Sequence, residues 1–409
     1  MSNPSPRLRN MDGTRGFSLL GILLANMFCF QYGMWGMQEM SLFSLSAADS
    51  AAHAIVKIVV ETSFMPIFAF LFGFGMIKIK ENVERRNGLA GNPAAHLARR
   101  FTFLFVLGLA HYILLWEGDV LVSYAITGFG MLLFLPAKPR TLFIWGAVFA
   151  VLAALIQYGA HNDPILPLSQ LEKFNDKTVD IYGSGSFTEI IRHRTLSDPL
   201  GLYGFYHVLN LMLSPVIVAP MFLFGMAAAK LKLLHQPQQE KKLYKKLTAI
   251  LIPVGLLLKS CNYLLPDLGW AGSIAALGGT ILAIGYLSAL SWLFSTRPGW
   301  LEGWFNRFES VGRLSLSNYL LQTVVCVFIF YGFGLGQFTK IGIIGGIALA
   351  LGIFIVQCFA SQLYLRYFRI GPVERLLRAW TALRWKRPVA ETTKGQLPDF
   401  NFRPTCPLL

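Results

Sequence analysis

His111 stands six residues before Glu117 and eight before Asp119. An imidazole close to carboxylates suits general-base work, because nearby negative charge raises its pKa and orients the ring. His111, Glu117 and Asp119 are therefore the catalytic candidates, with deprotonation of an acceptor hydroxyl as the chemistry. Solvated carboxylates in a turn are the plainer reading of Glu117 and Asp119.

A second set is Lys57, Glu61, His207, Asn210 and Lys259, all within apolar stretches, with Arg194 in a polar segment nearby. Ionisable groups in hydrocarbon cost about 2.5–3.5 kcal/mol each on insertion scales, so they are default candidates for substrate contact. Lys57 and Glu61 are four residues apart on one helix face, where they could neutralise each other. Lys259 could instead snorkel to headgroups, and His207 with Asn210 could join helices by hydrogen bonds. A third set is Asp12, Arg15, Arg313, Asn318 and Gln322. Guanidinium groups bind phosphate bidentately, so Asp12, Arg15, Arg313 and Asn318 are candidates for holding a phosphate-bearing ligand such as coenzyme A. Membrane anchoring is the simpler alternative.

These residues must be positioned by membrane helices. Of 409 residues, 54% are hydrophobic and 14% charged, against about 25% charged in soluble domains, which excludes a water-soluble enzyme. Apolar runs of spanning length recur at about 16–35, 54–77, 101–116, 120–135, 141–159, 203–229, 247–265, 271–294, 311–333 and 341–365. An all-α integral membrane bundle of about ten spans is expected. Only Glu117, Gly118 and Asp119 separate the third run from the fourth, which predicts a tight helical hairpin. The segments expected on one side carry 29 of the 36 Lys and Arg residues, against five on the other, so the positive-inside rule places both termini in the cytoplasm. Residues 1–365 then form one transmembrane domain and 366–409 a basic cytoplasmic tail. With this orientation His111, Lys57, Glu61, His207 and Lys259 all fall in the outer half of the membrane, and a shared outward-opening polar cavity would explain that.

The one long outer segment, 160–202, is large enough for a small cap, with a turn at Gly183-Ser184-Gly185. Gly342 and Gly346 predict a close helix contact. Phe-Leu-Phe-Gly occurs at 70–73 and again at 222–225, a weak sign of a repeat. Cys29, Cys261, Cys326 and Cys358 lie in apolar runs and read as small buried side chains. No metal-ligand spacing, phosphate-binding loop or nucleophile elbow is present, and the +15 net charge follows membrane topology rather than nucleic acid. Lipid bilayer and a small-molecule substrate are the expected partners; nothing fixes an oligomeric state.

The opening Met11-Asp12-Gly13-Thr14-Arg15-Gly16-Phe17-Ser18-Leu19-Leu20-Gly21 resembles that of the YeiB family of bacterial membrane proteins. Phe68–Gly75, Arg99–Asp119, Tyr182–Arg194, Gly312–Gly336 and Arg366–Trp380 match it as well, so the resemblance covers nearly the whole chain. It implies a multi-pass protein of the bacterial inner membrane. The family is similar in turn to transmembrane acyltransferases, which pass an acyl group from cytosolic acyl-coenzyme A to an acceptor across the membrane. Shared features are Asp12, Arg15 and Gly16 and a Phe-rich second span. The histidine that those enzymes carry before the second span has no counterpart ahead of Phe64, so His111 would have to serve instead. Family members have also been described as transport proteins. The resemblance thus implies acyl transfer, with acyl-coenzyme A as donor substrate and no bound cofactor, or else carriage of a small polar or amphipathic solute.

Overall fold

The structure is a computed structural model that describes residues 9–87, 92–159, 166–201, 205–235 and 237–383. Among these residues the regular structure is entirely helical. In chain order the helices are α1 (Arg9–Gly36), α2 (Ala47–Val59), α3 (Phe64–Asn87), α4 (Pro93–Leu114), α5 (Leu121–Met131), α6 (Pro139–Ile156), α7 (Leu168–Ser184) and α8 (Phe187–Leu196). They continue with α9 (Phe205–Lys230), α10 (Lys241–Leu264), α11 (Ala271–Thr296), α12 (Glu302–Arg313), α13 (Ser315–Phe330), α14 (Gly342–Tyr367) and α15 (Pro372–Ala382).

Among the described residues eight helical stretches are long and apolar enough to cross a membrane, or nine if the pair α12–α13, bent by 86°, is one span. The run expected at 120–135 is a shorter apolar helix, α5 with one further turn to Phe134. It packs against α4, as a hairpin requires. The expected spans at 120–135 and 311–333 are thus short and bent respectively, and large apolar side chains such as Phe143, Ile144 and Val356 are exposed on the outside.

The run at 54–77 is not one straight helix. α2 ends at Val59, Thr62 adopts a left-handed φ of 58°, and α3 starts at Phe64. Pro66 is the physical cause. Its ring would collide with the carbonyl four residues earlier in a continuous helix, whereas the first turn of α3 tolerates it. The break leaves carbonyls to satisfy. Tyr286 donates to that of Val59 at 2.9 Å, and Lys259 Nζ donates to that of Glu61 and to Ser63 Oγ.

Glycines bring particular helices into backbone contact. A β-carbon on Gly16 would collide with the Phe308 carbonyl, and one on Gly312 with that of Asp12, so α1 and α12 cross at a reciprocal pair of sites. The recurring Phe-Leu-Phe-Gly segments do the same. Gly73 lies on the Phe222 carbonyl and Gly225 on that of Phe70, which makes the two phrases the two sides of the α3–α9 contact. Gly346 on α14 is packed against Gln31 of α1, the close contact expected there.

α7 and α8 form a cap over one end of the bundle, joined by a turn at Gly185 and opened by a Ser186–Glu189 capping box. Tyr182 anchors it: its ring lies 4.8 Å from Tyr331 and 5.3 Å from Phe338, and its carbonyl accepts from Gly332 N–H at 2.7 Å. The start of α1, the end of α3, the start of α4 and α15 gather at the opposite, basic end.

Candidate functional site

α4 presents Leu97, Phe101, Leu104, Gly108 and His111 to the interior, alternate steps of four and three that keep one helical face inward. His111 Nδ1 lies 2.8 Å from Asp119 Oδ2, with both side chains sealed from solvent (1% and 0% exposed). The hairpin turn brings Asp119 back beside α4, and Gly108 makes the space: a β-carbon there would lie 2.8 Å from Asp119 Oδ1. That oxygen accepts from Val122 N–H at 3.0 Å, which satisfies one of the free N–H groups in the first turn of α5. The Tyr319 ring lies 5.5 Å from the imidazole, and its hydroxyl accepts from Val120 N–H at 3.4 Å. Among the described residues neither ring nitrogen of His111 makes a well-aligned hydrogen bond: Nδ1 meets Asp119 Oδ2 as a close ionic contact, and Nε2 has no partner. A carboxylate beside Nδ1 favours the tautomer that leaves Nε2 as the basic nitrogen.

Glu117 faces elsewhere. Its Oε1 accepts from Met34 N–H at 3.1 Å, just past the break in α1 at Gly33 (φ 74°), and its Oε2 accepts from Tyr182 Oη at 3.0 Å. Burial, and then the Glu117 charge, push the Tyr182 phenol well above its ordinary pKa, so it remains a donor. Arg194 is buried too, and its guanidinium donates to the Leu115 carbonyl at 2.9 Å and the Ile113 carbonyl at 2.6 Å. It closes the C-terminal end of α4, where a cation suits both the free carbonyls and the helix dipole.

Beneath this pair a cavity of about 720 Å³ runs from the basic end. Leu19, Ile22, Leu71, Phe101, Leu104 and Tyr124 line its apolar part, and Val120 and Tyr319, the neighbours of the His–Asp pair, belong to its wall. Arg15, Lys78, Arg100, Arg313 and Arg378 line its charged part, against only Asp12 and Glu374. Of those two, Asp12 pairs with Arg15 at 3.1 Å, and Glu374 caps α13 by accepting from Leu316 and Ser317 N–H. Cation therefore exceeds anion around an otherwise apolar space. The α1–α12 crossing explains the placing of two of these groups, because Arg15 precedes Gly16 and Arg313 follows Gly312. Arg100 and Arg378 escaped the sequence reading. Arg100 fell in a basic connector and Arg378 in the tail, yet α15 folds back along α4, with Trp380 Nε1 donating to the Arg99 carbonyl at 3.0 Å.

Among the described residues, His111 belongs to the hairpin and is not joined with Lys57, Glu61 and Lys259 in the large cavity. Lys259 is spent on the α2–α3 break, which also separates Lys57 from Glu61 and removes their common helix face. Asn318 does not line the cavity either. It donates to Ser361 Oγ at 2.9 Å, and Gln322 to Gln357 Oε1 at 2.9 Å, so both join α13 to α14. The side chains of His207 and Asn210 lie outside the described residues.

The protein-family profile described as "Protein of unknown function (DUF418)" matches residues 228–384. The chain is 33% identical to the Bacillus subtilis (strain 168) protein named "Uncharacterized protein YxaH" over 418 residues, covering 96% of this chain and 100% of that one. It is 26% identical to the Escherichia coli (strain K12) protein named "Uncharacterized protein YeiB", over 94% of this chain and 98% of that one. End-to-end similarity of this degree makes the chain a member of the YeiB family of multi-pass membrane proteins.

Proposed function

We propose that this protein is a transmembrane acyltransferase that moves an acyl group from an acyl-coenzyme A donor to an envelope hydroxyl acceptor. The observation that carries the reading is the single cavity that joins a cation-rich mouth to the neighbours of a buried His–Asp pair. Arg100 and His111 are eleven residues apart on one helix, so about 16 Å separates the charged mouth from the base. A donor with phosphates at one end and a thioester at the end of a flexible arm suits that spacing. The arginines take the phosphates, and the apolar wall shields the arm and acyl chain. His111 Nε2 removes the acceptor hydroxyl proton, and the oxygen attacks the thioester carbonyl. The carbon–sulfur bond breaks, and the departing thiolate recovers the proton from the imidazolium, whose charge Asp119 stabilises. The basic end faces the cytoplasm of the inner membrane and the cap faces outward, by the distribution of Lys and Arg. A solute carrier would have drawn on Lys57, Glu61 and Lys259, whose arrangement at the α2–α3 break favours the enzyme.

The test is donor binding and acyl release by detergent-purified protein. His111→Gln should retain donor binding and lose about 10²–10⁴ in turnover. Arg100→Gln should weaken binding by about 10- to 100-fold, the scale of a lost charged hydrogen bond. Absence of donor binding at millimolar concentration, or full turnover in His111→Gln, would remove the proposal.

A further inference from the structure

The segment that carries the His–Asp pair is held from outside. His111 and Asp119 flank a turn whose intervening residues contact three other elements. Arg194 of α8 donates to the Ile113 and Leu115 carbonyls, Tyr182 of α7 donates to Glu117, and Met34 N–H of α1 donates to the other oxygen of Glu117. Arg194 is 5% exposed and Tyr182 1%, so both of these side-chain donors are buried. Arg194 and Glu117 are thus engaged at positions two to four residues from the pair, and neither is among the residues that line the large cavity.

We propose that Arg194 and Glu117 are positioning residues, through which the α7–α8 cap sets the approach of Asp119 to His111. Arg194 holds the end of α4, three to four residues after His111. Glu117 fixes where the turn lies between α1 and α7, two residues before Asp119. Release of either lets the turn relax, and the imidazole then loses the carboxylate that selects its tautomer. The cap is in this way coupled to the base without touching substrate. The kinetic consequence rests on the acyltransferase reading, whereas the structural coupling does not.

The experiment uses full-length protein labelled with ¹⁵N-histidine in detergent micelles, with the His111 signals assigned by comparison with His111→Gln. In the wild type the His111 ring should show a proton on Nδ1. Arg194→Gln should lose that signature and give mixed tautomers, and Arg194→Lys should restore part of it. Tyr182→Phe deletes one hydroxyl while keeping the ring, and should shift His111 in the same direction by less. In acyl-transfer assays Arg194→Gln should lower kcat about 10- to 100-fold with donor KM unchanged, as for a misplaced base. A changed tautomer in a protein that transfers no acyl group would uphold the coupling and sink only the enzyme reading. Unaltered Nδ1 protonation in both Arg194→Gln and Tyr182→Phe would overturn the inference.

Discussion

At Gly108 one hydrogen in place of a methyl group decides whether Asp119 can sit beside His111. Ala at this position would press on Asp119 Oδ1 and on Val122 N. His193 illustrates a different residue-scale constraint. Thr178 Oγ1 donates to the Phe174 carbonyl at 2.8 Å and so must accept from His193 Nε2 at 2.8 Å, which requires a proton on Nε2. Burial first, and Lys177 second, lower its pKa from the usual 6.5 to about 4. Between those values the unfolded cap binds more protons than the folded one, so stability rises with pH. The cap should therefore lose on the order of 2–3 kcal/mol as pH falls from about 6.5 to 4. Hydrogen exchange of α7 and α8 should accelerate over that window, and His193→Gln should flatten the dependence. A constant exchange rate from pH 7 to 4 would contradict the assignment.

At the scale of elements, the crossings that build the cavity are set by small residues and those that fill it by large ones. Gly75 on α3 is of another kind, because a β-carbon there meets only Arg15, at 4.0 Å, and it lines the cavity. Gly75→Leu should consequently fold normally and occlude the mouth, weakening donor binding at unchanged thermal stability. Gly312→Leu should behave in the opposite way. It drives a side chain into the Asp12 carbonyl, parts α1 from α12, and costs at least the ~1–3 kcal/mol typical of overpacking. A thermal melt of the two purified variants separates these outcomes; equal destabilisation would refute the distinction.

For the whole molecule, the charge asymmetry and the cap lie at opposite ends of the bundle. α4 begins at the basic end and finishes under the cap, and its 22 residues span about 33 Å, close to the hydrocarbon thickness. If the basic end is cytoplasmic, Glu172→Cys on the cap should react with a membrane-impermeant maleimide in intact cells. Lys241→Cys, at the start of α10, should react only after permeabilisation. The reverse pattern would invert the topology and place the donor cavity on the wrong side for a cytosolic acyl donor.

The membrane class, the helical hairpin at Glu117–Asp119, the cap at the long polar segment and the Gly346 contact were all legible in the sequence. Each follows from local composition, periodicity or a short turn, which neighbouring residues dictate by themselves. His111 and Asp119 could be paired as candidates for the same reason, since one turn carries both. The choice of Asp119 over Glu117 as the neighbour of the imidazole depended on Gly108, Met34 and Tyr182. The break at Pro66 was written in the chain as well, but hydropathy alone passes over it. Lys259 then became a partner for backbone carbonyls rather than for a substrate. Which arginines share a cavity could be decided only by tertiary structure, because α1, α4, α12 and α15 meet through glycine crossings and a folded-back helix far apart in sequence. Apolar periodicity specifies that a helix buries a face. The backbone approach that small residues permit specifies which helix that face meets.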